Sequence, residues 1–594
     1  MSKNYAAPLA DMRFLLETQT AQDIDDAMSL LDQAASFVER EWAPVRTLGD
    51  TRGCTLDQGR VSLPAEIKAA WVRYVEAGWL GISLPEPWGG QALSATLGAC
   101  VGEMLSSANP ALSMIPALTM SACKAIVAFG SEALKQTYLP KMIAGEWTGT
   151  MCMTEAHCGS DLALIRTTAT RLDDHRFAIT GTKIFISAGE HDGSANIVHL
   201  VLARIKGAPE GVKGLSLFLV PKWLPDASHA SGPGEANTVS CIGIEQKMGI
   251  HANPTCTMSF DAAQGFLVGR ANEGIKAMFT MMNEMRLGAA LQGVGLSECA
   301  FQQSYAYATE RSQGKALNPA RQSGAQADAL ISHADVRRML LTQKAFAEGG
   351  RALCLHCAVL LDTVKAGGGD AGAAESALGL LTPIAKAFLT ESGLESASHA
   401  IQVRGGHGYI RDSGVEQIYR DGRIATLYEG TTGIQALDLL GRQVLGDEGQ
   451  ALLAFTQDIH RLCAALAPAD SHFDPAHQTP NDTAQALART LLPYAREWPQ
   501  LAGQIGLRAR QDPDELGAAA YDFLMYSGYV CLAYFWLRMA HAAGADGLSV
   551  NPRLLAAKRR TAIFYFDKLL PRAQFHKIAM LAGASALSDF EDDR

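Results

Sequence analysis

The 594 residues are too many for one hydrophobic core, so several domains are expected. A chain that is 48% hydrophobic and 19% charged fits a globular protein of enzyme size with large interiors. The net charge of -10 argues against general binding to nucleic acid or to an anionic membrane surface.

The opening "MSKNYAAPLADMRFLLE" lacks the apolar stretch of a signal peptide, and a cytoplasmic location is expected. Residues 1–150 read as an N-terminal helical domain. "IDDAMSLLDQAASFVEREWAPV" sets Ile24, Met28, Leu31, Ala35 and Val38 on one helical face. "LPAEIKAAWVRYVEAGWLGI" repeats the theme, with Pro64 opening the helix and Gly78 ending it. No strand alternation is expected in this part.

The texture changes over 151–271, read as a middle β domain. "FAITGTKIFIS", "NIVHLVLARI", "LSLFLVP" and "NTVSCIGIEQKMGI" are short, rich in β-branched or aromatic residues, and separated by turn formers. Their spacing predicts a sandwich or barrel. The block ends near "FDAAQGFLVGR".

Helical pattern returns over 272–446, read as a C-terminal helical bundle. "HADVRRMLLTQKAFAEGGRALCLHCAVLLDTV" aligns Val336, Met339, Leu340, Phe346, Leu353 and Leu360. "KAFLTESGLESASHAIQVRGG" is a second helix, ended by Gly405-Gly406, and 365–375 is a loop between the two. The Cys354–Cys357 pair lies inside a helical pattern and reads as core; the 12 cysteines overall read as buried free thiols of a reducing compartment. No metal site is expected.

A linker, "APADSHFDPAHQTPND" (467–482), precedes further helices, so 447–594 reads as an additional helical domain. Its apolar run "GYVCLAYFWL" (528–537) is too short to span a bilayer, and no integral membrane segment is expected. Blocks ordered helical, β, helical, helical give an α+β fold class and argue against βαβ alternation.

Nucleotide and hydrolase signatures such as G-x-G-x-x-G, the P-loop, H-E-x-x-H and G-x-S-x-G do not occur in the required contexts. Five stretches remain. In "ATLYEGTTGIQALDLLGR" the carboxylate of Glu429 lies between Leu427-Tyr428 and the small residues Gly430-Thr431-Thr432-Gly433. A helix with Ile434, Leu437 and Leu440 on one face follows, capped by Thr431 or Thr432. Alone, this reads as an acid favoured by a helix N-terminus. "MCMTEAHCGSDLALI" (151–165) offers Thr154, Gly159 and Ser160 for hydrogen bonding to a polar ring edge or phosphate, or else a strand followed by an Asp161-capped turn. In "KIFISAGEH", period-two alternation puts Phe185 and Ser187 on one face. "YATERSQGKAL" carries Arg311 and Lys315, and "QVRGGHGYIRD" is a glycine-dense helix end in which His407 reads as a turn residue.

Taken in order, T-E-x-x-x-G-S-D, K-x-x-I-[ST], E-R, Q-x-x-G-G-x-G-Y and Y-E-G-T make the chain resemble the acyl-CoA dehydrogenase family over about residues 40–445. The opening and the helices after 446 resemble the subgroup with an extra C-terminal domain that includes 3-methylmercaptopropionyl-CoA dehydrogenases. The resemblance implies an N-terminal helical domain, a middle β domain and a C-terminal four-helix bundle, with FAD as cofactor. By motif match, Met151, Met153, Thr154, Gly159 and Ser160 would line the flavin, and Ser160 would also face the CoA arm. Phe185 stands where the family usually has Trp, and Ser187 where it has Thr or Ser. Arg311, with Gln313 beside it, would reach the FAD pyrophosphate of a partner subunit. Gln402, Gly405 and Gly406 would hold its adenosine side. Thr431 and Gly433 would touch FAD, although the family often has Gln at the latter position.

Glu429 matches the family's catalytic base, and Gly430 gives the substrate clearance. An acid among apolar neighbours is a stronger base, as removal of a weakly acidic α-proton requires. Some members carry the base immediately before the arginine matched by Arg286, but that position here is Met285, and Glu284 falls on another helical face. Asn283 and Arg286 match positions near the thioester and the CoA arm. The implied reaction is α,β-dehydrogenation of an acyl-CoA, either 3-methylthiopropanoyl-CoA or a fatty acyl-CoA, to the trans-2-enoyl-CoA. An electron-transfer flavoprotein would be the acceptor, and the enzyme a homodimer or dimer of dimers. The alternatives are an acyl-CoA oxidase on the same fold and a nucleic-acid-binding member. The chain's acidity and its "DFEDDR" end disfavour the latter despite the basic 556–572 stretch.

Overall fold

The computed structural model describes residues 5–20, 23–225, 234–468, 480–545 and 547–587. Most of the expected linker, and the acidic end, lie outside the described residues. The chain divides into two compact units, one formed by 37–94 with 108–288 and the other by 1–36, 95–107 and 289–594.

The first unit holds the strands. A hairpin of β1 (Thr55–Asp57) and β2 (Arg60–Ser62) turns at Gln58 and Gly59, both with positive φ (46° and 78°), as a two-residue primed turn requires. The expectation of no strands before residue 150 is therefore corrected: three-residue strands are too short to show alternation. The main sheet contains β3 (Trp147–Cys152), β4 (Thr168–Arg171), β5 (Arg176–Ser187), β6 (Asn196–Ile205), β7 (Leu215–Pro221), β8 (Val239–Ile244) and β9 (Thr255–Val268). The pairings β6–β4, β4–β5, β5–β9, β9–β7 and β7–β6 close a ring, so the middle domain is a barrel, with β3 added on β6 and β8 on β9. "NTVSCIGIEQKMGI" forms a strand only over its first half. Phe177, Ile179, Val201, Phe218, Val220, Met258 and Phe260 fill the barrel core, joined by Val61 of the hairpin.

The helix Pro110–Phe129 of this unit is long and apolar enough to cross a membrane, but 67% of its apolar window is buried, the mark of a core helix. Asn109 caps it by accepting from the Leu112 N–H. Gly149 of β3 lies so close that an added Cβ would come 2.6 Å from the Ala122 Cβ, and its N–H donates to Thr119 Oγ1 at 3.1 Å.

The second unit is helical. Its long elements are the C-terminal part of Gly274–Glu310, then Ala334–Ala366 and Ala371–Arg404. They are followed by the short helix Thr432–Leu437, whose continuation over Asp438–Leu445 is π-wound. Within the π-wound segment Leu439, Leu440 and Val444 are buried, whereas Leu437, just before it, is exposed, so the expected straight Ile434–Leu437–Leu440 face is not formed. The additional domain contributes Gln450–Leu466, Pro480–Ala509, Asp514–Ala542, Pro552–Phe564 and Arg572–Leu581. Its apolar run is buried within this unit. Gly528 lies against Phe388, where an added Cβ would fall 2.1 Å from Cδ2, and the Trp536 indole N–H donates to the Ala345 carbonyl at 3.1 Å. Cys354 and Cys357 are buried in this core.

Candidate active site

Within the barrel unit, the loop after β3 is fastened to β5. The buried Lys183 donates to the Met153 carbonyl (2.9 Å) and to Glu155 Oε1 (2.9 Å), and the Ile184 N–H donates to the Thr154 carbonyl (2.9 Å). Glu155 also accepts from the N–H groups of Arg166 (2.9 Å) and Thr167 (3.0 Å) and from the Thr167 hydroxyl (2.6 Å). Burial works against its charge, but Lys183 and these donors win and hold the carboxyl at about 2, while burial lowers the Lys183 ammonium. Around this anchor, Met151, Met153 and Thr154 are half-buried, and Gly159 and Ser160 are exposed. A Cβ on Gly159 would come within 3.3 Å of Thr154 Cγ2. Asp161 accepts from the Ala163 N–H at 3.0 Å, so the Asp-capped turn read from the sequence is present beside the candidate loop.

Phe185 is 59% exposed, with φ +58°, at a bulge between Lys183 and Ile186. The bulge interrupts the strict alternation that paired it with Ser187, which is half-buried; an extra residue in one strand is invisible to a period-two count. Removing the Lys183 charge with Lys183→Met should release the Met153 carbonyl and strand Glu155 in a buried place. Since the family resemblance assigns this loop to the flavin, the expected result is loss of flavin on gel filtration at concentrations where the parent keeps it, with the absorbance ratio of flavin to protein as the measurement.

Glu155, His157 and Cys158 also bring one ligand atom each within 4.8 Å of one another. The Glu155 oxygens already serve Lys183 and the backbone, and His157 Nε2 bonds the Leu164 carbonyl at 2.9 Å, so this cluster is not read as a metal site.

Further along this unit, Asn283 is exposed and Arg286 buried. Met285, at the alternative base position, is buried, and the neighbouring acid Glu284 is ion-paired with Lys124 at 2.5 Å.

The helical unit holds two further groups. In one, Arg311 lies at the end of the Gly274–Glu310 helix, and the Gln313 N–H donates to the Asp328 carbonyl at 3.0 Å. Asp328 itself accepts from the N–H groups of Ser323 (2.7 Å) and Ala316 (2.8 Å), bonds that hold its carboxyl at about 2. The glycine turn joins this group. Tyr307 Oη and His407 Nδ1 are 2.9 Å apart, and the Arg404 guanidinium covers the Tyr307 ring at 5.5 Å while donating to the Ser413 carbonyl at 2.8 Å. Gln402, Gly405 and Gly406 are exposed, and a Cβ on either glycine would meet nothing within 4 Å. Gly405, at φ +57°, is where the helix ends, as its sequence predicts.

The other group surrounds Glu429. This residue has φ +56° and Gly430 follows with φ +88°, two left-handed residues in succession. For a non-glycine that conformation costs about 1–2 kcal/mol and needs surrounding structure to hold it. That structure is explicit. The Tyr428 hydroxyl donates to Gln292 Oε1, and Gln435 Nε2 donates to the Glu429 carbonyl at 2.9 Å. Lys386 Nζ donates to the Gly430 carbonyl at 2.6 Å, and Thr432 Oγ1 donates to Glu391 Oε1 at 2.7 Å. Thr431, not Thr432, caps the helix by accepting from the Ile434 N–H at 3.3 Å. Burial pushes the Tyr428 phenol up, and the adjoining Glu429 charge adds to it. Gly430 has little choice of residue, since an added Cβ would lie 2.5 Å from Gln435 Nε2. Gly433 is exposed and open. Sequence reasoning missed Lys183, Glu155, Lys386, Gln435 and Gln292 as supports, although Lys183 and Glu155 fell inside motifs and Gln435 inside the quoted Glu429 stretch.

Four family models match the chain: the acyl-CoA dehydrogenase N-terminal domain over residues 25–146, middle domain over 150–263 and C-terminal domain over 272–445, and an acetyl-CoA dehydrogenase C-terminal-like domain over 455–591. A curated relative, 3-methylmercaptopropionyl-CoA dehydrogenase of Ruegeria pomeroyi, is 40% identical over 580 residues, covering 95% of this chain and 96% of the relative. Among solved structures, ACDH-11 of Caenorhabditis elegans in complex with C11-CoA matches with a TM-score of 0.79 at 20% identity, over 98% of this chain and 94% of that one. An acyl-CoA dehydrogenase of Bacillus anthracis complexed with FAD matches with a TM-score of 0.73 at 19% identity, over 94% and 88%. These two share the fold. The chain belongs to the acyl-CoA dehydrogenase family of FAD-dependent oxidoreductases.

Proposed function

We propose that Glu429 is the base of an α,β-dehydrogenation and that the substrate is 3-methylthiopropanoyl-CoA. The observation that carries the first part is the left-handed Glu429-Gly430 pair, held by buried side chains on successive carbonyls. Such a strained acid, held in place by its surroundings, is the mark of a functional site. The second part rests on the 40% identity to the Ruegeria enzyme across nearly both full lengths.

The chain's residues suit the family's cofactor. Thr154 and Ser160 offer hydroxyls, Phe185 an exposed aromatic face, and Met151 and Met153 half-buried apolar contact. In the helical unit, exposed Arg311 and Gln313 beside the open Gln402, Gly405 and Gly406 turn suit a pyrophosphate and its nucleoside. Thr431 and Gly433 complete the assigned contacts. Bound FAD supplies the acceptor for the β-hydrogen and its two electrons. Glu429 removes the α-proton, so one C–H bond breaks at each of two adjacent carbons and a double bond forms between them. The N–H of Glu429 donates to the thioester oxygen as negative charge gathers there. Asn283, Arg286 and Ser160 are assigned to the CoA arm; the Cβ that Gly430 lacks would meet Gln435, so its place beside the base is set by φ and by that side chain.

The four segments 1–150, 151–271, 272–446 and 447–594 are our proposed domain limits, supported by family-model ends at 146, 263, 272, 445 and 455. A homodimer or dimer of dimers, an electron-transfer flavoprotein as acceptor and a cytoplasmic location complete the reading. The twelve free cysteines, eleven of them buried, support a reducing compartment.

The test is dye reduction by the purified flavoprotein with 3-methylthiopropanoyl-, butanoyl- and octanoyl-CoA, with peroxide measured in parallel. We expect the highest kcat/KM for the methylthio substrate, the α,β-unsaturated thioester as product, and no matching peroxide. A higher value for octanoyl-CoA would overturn the substrate assignment, and peroxide equal to product would mean an oxidase.

A further inference from the structure

We propose that the additional domain carries a second ligand site, a groove for a free fatty carboxylate whose chain of about ten carbons lies between two helices with its anionic end at Arg510. The groove is bounded by the Gln450–Leu466 and Pro480–Ala509 helices and by the end of the π-wound segment, all within the helical unit. Its volume is about 820 Å³, in the range of small-molecule sites. Val444 and Leu445 of the π-wound end, Leu452 and Leu453 of one helix and Ala502 and Leu507 of the other make it apolar. Leu453 and Leu507 are 46% and 63% exposed, so apolar surface stays open on both walls. None of the residues assigned to flavin, CoA or base lines the groove, so the proposal stands apart from that reading.

The room comes from glycine. A Cβ on Gly449 or Gly503, on facing walls, would meet nothing within 4 Å. At Gly506 the walls close in, and a Cβ there would come 2.8 Å from Leu445 Cδ2. These dimensions select the occupant. Lining residues run from Pro499 to Ala509, about 15 Å of helix, which spreads the volume over a mean cross-section of about 50 Å². A docked helix, about 10 Å across, needs about 80 Å². An extended hydrocarbon chain is about 4–5 Å wide and fits. At about 1.3 Å per carbon, ten carbons and a carboxylate span the length.

The charge selects the end group. Arg510 is exposed just beyond the last turn of the Pro480–Ala509 helix, and its guanidinium makes no hydrogen bond or ion pair with any described residue. A guanidinium is weakly hydrated for a cation, and its fork matches a carboxylate through two parallel hydrogen bonds. Glu448, the acid in the lining, opposes an anion and so gives the assignment a test of sign.

The experiment is calorimetric titration of sodium decanoate into the flavin-loaded enzyme. One saturable site per chain with Kd below about 1 mM is expected. Arg510→Gln should weaken it at least about tenfold, and Glu448→Gln should tighten it about twofold. Gly503→Leu should abolish it: the new side chain enters open space from an exposed position in a helix, which favours folding, and thermal unfolding and flavin content verify that. 1-Decanol, with the chain but not the charge, should bind at least about tenfold more weakly than decanoate. In all three variants kcat and KM for the best acyl-CoA should stay within about twofold of the parent, which separates this groove from the catalytic site. Decanoate binding that survives Gly503→Leu, equal binding of decyltrimethylammonium, or no saturable heat up to about 1 mM overturns the proposal. Other occupants are read with the same proteins. If the parent self-associates in sedimentation velocity and Gly503→Leu does not, the groove is a contact between copies. If the parent is retained on phosphatidylglycerol vesicles and Gly503→Leu is not, it is a membrane contact. Either result replaces the free fatty carboxylate.

Discussion

Glu429→Gln is expected to fold, bind FAD and lose dehydrogenation by about 10²- to 10⁴-fold, the scale on which a positioned general base contributes. The amide keeps the size of the carboxylate and leaves the Gln435 and Lys386 bonds untouched, because those are made to backbone oxygens. What it removes is the ability to accept the α-proton. Glu284→Gln is the matched control: it changes the acid nearest the alternative base position, yet Glu284 is engaged with Lys124 at 2.5 Å and should cost less than about threefold in kcat. The measurement is stopped-flow bleaching of the flavin by acyl-CoA in both variants. Bleaching in Glu429→Gln within tenfold of the parent would remove Glu429 from the reaction, and a large loss in Glu284→Gln would point to the other acid.

Glu429 was legible because one short stretch carries the acid, the glycine beside it and the capped helix after it. The order of helical and strand blocks was legible from periods of 3.6 and 2 over ten or more residues. The same reasoning passed over β1 and β2, three residues each, and β4, four residues. It read β3 only as a strand leading into the Asp161-capped turn, because its burial is nearly continuous and shows no alternation. The bulge at Phe185 was hidden for a different reason: it depends on the partner strand β9. The supports of the two loops were the least legible. A lysine in a sequence reads as a solvated charge, and the carbonyls that Lys183 and Lys386 hold are 30 and 44 residues away. Only the fold brings each pair together.

Arg351→Met should destabilise the helical unit by about 3–5 kcal/mol, the scale for removing one partner from a buried ion pair. Arg351 is 2% exposed and is surrounded by acids from three other helices. Its Nε and Nη2 donate to Glu103 at 2.6–2.9 Å, Nη2 donates to Glu298 at 2.7 Å, and Nη1 donates to Asp11. Asp11 also pairs with buried Lys558 of the additional domain, and Lys558 reaches Glu348 at 2.9 Å. The guanidinium therefore links the first helix, the Ala95–Ala108 helix, the bundle and, through Asp11, the C-terminal extension. Even beside Arg351, burial pushes the Glu103 carboxyl up to about 7, so the cluster has no charge to spare. The sign of the pH dependence follows. A carboxylate whose folded pKa lies above its unfolded value binds more protons when folded, so its contribution to stability falls as pH rises between 4.5 and about 7. Losing Arg351 raises that folded pKa further. The stability deficit of the variant should therefore be largest near about pH 8 and shrink by about pH 5.5, where the stranded Glu103 takes up a proton. Asp11 runs the other way, since the Lys558 and Arg351 charges outweigh burial and hold its carboxyl low, but Lys558 remains to keep it ionised. Urea unfolding at the two pH values measures the difference. A deficit that is independent of pH, or smaller than about 1 kcal/mol, would mean that the acids relax to solvent and that the cluster does not hold the additional domain to the bundle.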